Sequence, residues 1–198
     1  MIFFLKKTIT KVQVQINNKS MSSKGNLPNK ITKISQRSYA LLFSEVVQYC
    51  YQKSKQIDQF AKQLHSMGYP IGYTILEVIN QGSQAPSKLE TKTVNMLLWL
   101  KEKLWPYLFG YQASNLEKQE DDSKVYMLYD DKPSIVQYIS HPTELKTSFT
   151  CCSFVAGIIE GILVSAGFPC QVTAHPYGDA ACPDRVVYLI KFVEDGNS

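Results

Sequence analysis

Four residues near the C-terminal end, Cys170, His175, Asp179 and Cys182, would supply a full set of zinc ligands within thirteen positions. Structural zinc takes thiolate, imidazole and carboxylate donors in a tetrahedron, usually from regularly spaced ligands that include a Cys-x-x-Cys pair. That pair is missing here and the intervals are irregular, so the four read as a strand cysteine and loop residues that are neighbours only in sequence. No metal is expected. A thiol enzyme would need a cysteine of lowered pKa beside a base. Cys151 and Cys152 precede an apolar helical run, where the helix dipole favours thiolate. Their neighbourhood is apolar, and His175 is the only base to hand in the second half. His65 reads as a residue of a surface helix and His141 as a loop residue. These ingredients lack a geometry, and no catalytic residue is assigned. The chain has no glycine-rich phosphate loop followed by Lys-Ser or Lys-Thr and no dinucleotide fingerprint, so no cofactor is expected. Tyr126, Tyr129, Tyr138 and Tyr188 lie in strand-like segments, as base-stacking aromatics do, but few basic residues accompany them. Strand packing is the better reading, and no nucleic acid partner is expected.

The elements that must position these residues are legible from the period of the apolar positions. Ser38 caps a helix carried by Tyr39, Phe43, Val46, Val47 and Cys50, and the polar run Lys53 to Gln56 interrupts it. Asp58 caps a second helix through Phe60, Ala61, Leu64 and Met67, which Gly68 and Pro70 are expected to stop. Ile71 to Ile79 follows as a separate short helix ended by Asn80-Gln81-Gly82. A third helix runs from Glu90 to about Leu108, with Val94, Leu97, Leu98, Leu104, Trp105 and Leu108 on one face. Pro106 should kink it or end it near Trp105, since an interior proline costs about 3 kcal/mol. Glu117 to Asp122 reads as a surface turn. Val125 to Tyr129 and Ile135 to Ile139 then read as a hairpin joined by Asp130-Asp131-Lys132-Pro133, with further strands at Gln171 to His175 and Val186 to Val193.

Between them, Phe149 to Phe168 is a 20-residue apolar run with one charge, Glu160. Twenty residues suffice to span a bilayer, but a carboxylate at its centre costs roughly 2.5 to 3.5 kcal/mol and no basic flank adjoins the run. A helix buried inside a domain is therefore expected. Within it Ser153, Gly157, Gly161 and Ser165 recur every four residues, so one face is nearly bare and fits closely against a sheet or another helix. The order of helices, two strands, a helix and two strands predicts an α+β sandwich, an antiparallel sheet covered on one face by helices.

The charge is unevenly spread. Residues 1–37 hold eight basic side chains and no acidic one, whereas 38–198 hold thirteen basic and seventeen acidic, so a +8 arm precedes a body of 13 − 17 = −4. The expected organisation is a basic, disordered arm over 1–37, one domain over 38–193 and a short tail at 194–198. Such an arm favours an anionic membrane surface by about 1 kcal/mol per basic residue held near it, though a solvated leader is the simpler reading. Ile2 to Leu5 is too short an apolar run for a secretory signal, and five cysteines without such a signal suggest free thiols in a reducing compartment.

Several stretches resemble one family in collinear order. Tyr-Ala-Leu-Leu-Phe-Ser-Glu-Val-Val-Gln at 39–48, Glu-Thr-Lys at 90–92, Leu-Phe-Gly at 108–110 and Tyr-Ile-Ser-His-Pro at 138–142 precede Phe-Val-Ala-Gly-Ile-Ile-Glu-Gly at 154–161, Ala-Gly-Phe-Pro at 166–169 and Val-Thr-Ala-His at 172–175. Together they resemble subunit 5 of the transport protein particle, TRAPP, over roughly Leu27 to Phe192. The resemblance implies a helical layer on a four-stranded antiparallel sheet and a non-catalytic scaffold. It implies pairing through the helices with a paralogue of the same fold and contact with a smaller longin-like subunit. The complex so formed promotes nucleotide exchange on a Rab-type GTPase and tethers vesicles between the endoplasmic reticulum and the early Golgi, which implies a cytoplasmic chain peripheral on those membranes. In the paralogue a cysteine before the third helix is acylated and the lipid fills an apolar channel. Here Gln84-Ala85-Pro86-Ser87-Lys88 has no thiol, so a core closed by bulkier side chains is expected. The alternative is a sensor domain of the same fold that binds a small ligand or fatty acid. For a scaffold the residues of interest are surface ones. The first helix carries more apolar and aromatic positions than one core stripe needs, which makes Leu41, Leu42, Val46, Tyr49, Cys50 and Tyr51 the candidate partner face.

Overall fold

The computed structural model describes residues 36–81, 92–120, 122, 124–137, 139 and 149–193. Helix α1, Gln36–Lys53, starts two residues before the expected cap, and α2 spans Ile57–Gln81. Helix α3, Thr93–Trp99, runs through a π-helical turn, Leu100–Leu104, into α4, Trp105–Phe109. Strands β1, Asn115–Lys118, and β2, Val125–Asp130, come next, followed by helix α5, Ser153–Ser165, and strands β3, Cys170–Pro176, and β4, Val186–Phe192. The four strands pair antiparallel in the order β1-β2-β4-β3. This is the α+β architecture, a helical layer on a four-stranded antiparallel sheet, that the order of periods predicted.

Helix α5 is the centre of the molecule. Its most extensive contact is with α2, and it also packs on β3. The contact with α2 is backbone on backbone. A Cβ built on Gly157 would overlap the His65 carbonyl and one on Gly161 the Tyr69 carbonyl; from the other side, Gly68 faces the Phe154 carbonyl and Gly72 the Ile158 carbonyl. Both helices thus present glycines four residues apart, one turn each, and any side chain there would hold the axes apart. Ser153 and Ser165, at the ends of the same face, turn their hydroxyls onto the Thr150 and Gly161 carbonyls. Thr150 Oγ1 also accepts the Cys152 N–H at 3.2 Å at the entry to α5. Gly167, at φ 88°, ends the helix in a Schellman turn, with Phe168 N–H donating to Leu163 O and Gly167 N–H to Val164 O.

That contact corrects the reading of Gly68 and Pro70 as a stop: α2 continues through both. Proline removes one intrahelical bond, but the α5 backbone lies against Gly68 and Gly72 on either side of it, and Leu64, Ile71, Ile75 and Ile79 are buried along the helix. Pro106 likewise neither ends nor breaks its helix. The π-helical turn widens the path one turn earlier, so that Pro106 falls in the first turn of α4, where a missing N–H costs little. Within α3, Leu97 is buried while Val94 and Leu98 are exposed, so the expected single face is divided. The start expected at Glu90 lies outside the described residues.

The expected hairpin is also corrected. Strand β2 lies between β1 and β4, and its hairpin partner is β1, which includes part of the acidic segment read as a turn, with Leu116 opposite Leu128 and Glu117 opposite Met127. Residues 134–137 form turns. The chain bends away after β2 because Asp130 Oδ1 accepts the Lys132 N–H at 3.2 Å, an Asx-type turn that Pro133 follows. No helix among the described residues is long and apolar enough to cross a membrane; α5 has thirteen residues, about 20 Å at 1.5 Å each.

Replacing Gly161 by alanine tests the helix contact. Intrinsic propensity favours alanine by about 1 kcal/mol, yet the added methyl overlaps the Tyr69 carbonyl. A net loss of about 1 to 3 kcal/mol is expected, seen as a lower urea midpoint. An unchanged or raised midpoint would show that the two helices separate without cost.

Candidate functional site

Cys151 and Cys152, weighed for thiol chemistry and not assigned to it, are in the core. Cys151, Cys152 and Cys170 are buried, and burial pushes each thiol up to about 12. For Cys152 this outweighs the hydrogen bond from Thr150, so the position at a helix N-terminus does not yield a thiolate. His175 lies on the exposed face of β3, its Nε2 2.9 Å from Thr173 Oγ1, whereas Cys170 and Val172 alternate to the buried face. The second-half base is thus on an exposed face while Cys151 and Cys152 are buried. Asp179 accepts the N–H groups of Ala181 and Cys182 and pairs with Arg185, and among the described residues no three His, Cys, Asp or Glu side chains gather.

Two carboxylates missed by the sequence reading hold the fold together. Glu160 Oε2 accepts the Val172 N–H at 2.7 Å and lies 3.1 Å from His65 Nε2, so one side chain on α5 binds both the edge strand β3 and helix α2. His65, read as a surface residue, belongs to this junction. The signal was Glu160 itself, the lone charge in an apolar run, which needs a partner when buried. Asp130, 2% exposed, accepts the Tyr111 hydroxyl at 2.9 Å. Burial raises its carboxyl to about 6 despite the Tyr111 and Lys132 hydrogen bonds. Beside it Arg185 donates to Asp131 and Asp179, each at 2.6 Å. Nothing in the spacing of Tyr111 and Asp130 announced their contact.

The candidate partner face on α1 divides. Val46 and Cys50 are core residues, 3% and 0% exposed, with the Cys50 thiol 3.6 Å from Met67 Sδ, and are corrected from the surface set. Together with Phe43 they form the core stripe at i, i+3 and i+7. Leu41 and Tyr51 are 70% and 67% exposed, and Leu42 and Tyr49 are half-buried, Tyr49 lying under the Lys53 ammonium at 4.5 Å from its ring centre. Tyr73 on α2 and Val94 and Leu98 on α3 are exposed as well. The helices therefore offer surface, and the described interior offers hydrogen-bonded struts.

Comparison with known proteins places this fold. Residues 39–193 match the family profile described as transport protein particle (TRAPP) component. The chain is 42% identical over 156 residues to trafficking protein particle complex subunit 5 of Dictyostelium discoideum, covering 78% of this chain and 83% of that protein. It is 37% identical over 144 residues to the human subunit 5, covering 73% and 76%. A crystal structure of subunit 3 of the same complex from Naegleria fowleri, covalently bound to palmitic acid, superposes with a TM-score of 0.66 at 16% identity, over 81% of this chain and 98% of that one. At that identity the likeness is one of fold.

Asp130 makes stability depend on pH with a defined sign. Its carboxyl is raised from 3.8 to about 6 in the folded state, so between those values the folded chain keeps a proton that the unfolded chain has lost. The contribution is present below about pH 4 and is lost as pH rises through 6, at roughly 2 to 3 kcal/mol. Asp130→Asn should flatten this fall in urea midpoints measured from pH 4 to 7. A constant offset between variant and wild type across that range would remove Asp130 as the titrating group.

Proposed function

This chain belongs to the transport protein particle (TRAPP) component family, and from that premise we propose that it is a subunit-5-type scaffold of a TRAPP complex, without an active site of its own. The observation that carries the reading is the continuity of the match, which takes in nearly the whole fold from α1 to β4. Its matched relatives in Dictyostelium and human are both subunit 5. The buried, undissociated thiols and the structural use of Glu160 and Asp130 support a binding role over catalysis.

In this reading the helical layer pairs with a paralogue of the same fold, with Leu41 and Tyr51 on the contact and Leu42 and Tyr49 beside them. A longin-like subunit joins the pair. The complex exchanges nucleotide on a Rab-type GTPase during transport from the endoplasmic reticulum to the Golgi. Displacing a GTPase's switch regions is work for a shared surface, so a subunit serves by positioning it. The chain acts from the cytoplasm as a peripheral component of early Golgi and endoplasmic reticulum membranes, which its basic arm helps to contact. The loop at 84–88 lies outside the described residues, but its sequence holds no cysteine, so a covalent lipid is not expected there. Trp105, Tyr188 and Phe154, large and fully buried, support an interior filled by side chains.

Gentle purification of the tagged chain from its source cells, with native mass measurement, tests the assembly. Several small subunits should accompany it in a particle of roughly 100 kDa or more, as repeated standard-size interfaces would give. A lone monomer, or one carrying a fatty acid, would overturn the reading in favour of a ligand sensor. The double variant L41D/Y51D should remain folded, losing about 0.5 to 1.5 kcal/mol with the Tyr51–Phe60 edge contact, and lose the same-fold partner, whereas V46D should fail to fold. Intact mass should show no palmitoyl adduct.

A further inference from the structure

The Tyr111 hydroxyl has more acceptors around it than its single proton can serve. Its oxygen lies 2.9 Å from Asp130 Oδ2 and 3.1 Å from the Lys132 carbonyl oxygen, and it accepts the Ser134 N–H at 3.2 Å. A phenol donates one hydrogen bond, and its oxygen has room for two donors. The Lys132 carbonyl only accepts. Both remaining contacts are therefore hydrogen bonds at once only when Asp130 carries a proton: Asp130 Oδ2–H donates to Tyr111, and Tyr111 donates to Lys132 O. When Asp130 is ionised, its carboxylate is the stronger acceptor and takes the Tyr111 proton, which leaves the Lys132 carbonyl to solvent. The Lys132 N–H on Oδ1 fits either state.

The backbone groups held in this way belong to the turn after β2, which forms one wall of a groove of about 810 Å³. Tyr111 and Asp131 to Ser134 line that wall, and Cys182, Asp184 and Arg185 line the groove from the loop joining β3 to β4. Asp131 Oδ1 takes the Arg185 Nε–H at 2.6 Å, so the turn also anchors this loop. The ionisable groups facing Asp130 favour a proton on it. Tyr111 follows α4, Cys152 opens α5 and Tyr188 stands on β4; burial pushes the ionisation of all three upward, so none brings a charge near neutral pH. Of its neighbours in the turn, Asp131 is negative and raises the Asp130 carboxyl further, while Arg185 is already shared between Asp131 and Asp179. The adjoining end of β1 brings Asn115, which does not ionise.

We propose that Asp130, Tyr111 and Lys132 form a proton-operated latch on this wall of the groove: with Asp130 protonated the turn is fastened through every bond, and with Asp130 ionised the Lys132 carbonyl is released and the turn, with the loop it anchors, loosens. Burial, which sets the carboxyl at about 6, fixes the working range. The latch is closed on the acid side and opens as pH rises through that value. The inference does not depend on the assembly proposed above, because the exposed residues of α1 take no part in it.

Hydrogen exchange of the segment 131–137 in the native full-length chain, followed by mass spectrometry and corrected for the intrinsic pH dependence of exchange, reads the latch directly. Protection should fall about two- to fivefold between pH 5 and pH 7, as the loss of one net hydrogen bond gives. D130N, whose carboxamide donates to Tyr111 at any pH, should hold the acid level of protection throughout. Y111F, with no proton to pass to Lys132, should show the low level throughout. Wild-type protection that stays flat across this range, or a D130N chain that follows wild type, would overturn the proposal. The fall should also be the same size in about 1 M urea, since a local opening exposes little surface. A fall that grows with urea would assign the change to global unfolding and overturn the latch as well.

Discussion

The structure depends on the direct approach of two helix backbones. Gly68 and Gly72 on α2 face the carbonyls of Phe154 and Ile158, while Gly157 and Gly161 on α5 face those of His65 and Tyr69. With no Cβ between them, α5 lies close enough to α2 to be almost wholly enclosed and still to cover β3 with its other side. Interiors are packed at crystal density, so a gap or bump at this contact would spread to the sheet. The same contact explains why a proline in the middle of α2 is tolerated: the tertiary packing on both sides of Pro70 offsets the lost hydrogen bond and the strain.

Charge inside such a core must be bound. Glu160 answers this by taking a backbone N–H from edge strand β3 and lying against His65 of α2, so the one carboxylate on the buried helix joins three elements. It also occupies an N–H of β3, a strand paired on one side only. Asp130 does comparable work at the end of β2, where Tyr111 and the Lys132 N–H hold it and burial raises its carboxyl to about 6. Both groups are used up by the fold. Some large hydrophobics are nevertheless turned outward, Leu41 and Tyr51 on α1, Tyr73 on α2, Val94 and Leu98 on α3.

Legibility followed the range of the interaction concerned. The break after Lys53, the burial of α5 and the strands β3 and β4 all follow from patterns within a turn or two of helix or a few residues of strand. The pairing of β2 was misread because Ile135 to Ile139 alternates as plausibly as Asn115 to Lys118. The choice between them is made by register with β2 and by the Asx-type turn at Asp130. On α1, Val46 and Cys50 could not be told from Leu41 and Tyr51 by type, since all are apolar or aromatic. The side that meets Phe154 and Met67 is decided by where α5 and α2 lie.

By itself, then, the sequence determined the α+β class, the glycine spacing that makes α5 a close-packing helix, and the kinship carried by collinear motifs. Those properties are local, set by propensity, capping and period among neighbouring residues. Only the tertiary structure decided that Pro70 leaves α2 continuous, that a π-helical turn absorbs Pro106, which apolar residues are core, and where the carboxylates find partners. Glu160 meets His65 across 95 positions and Arg185 meets Asp131 across 54. Contacts of that range have an energy only once the chain has closed around them, so no local pattern records them.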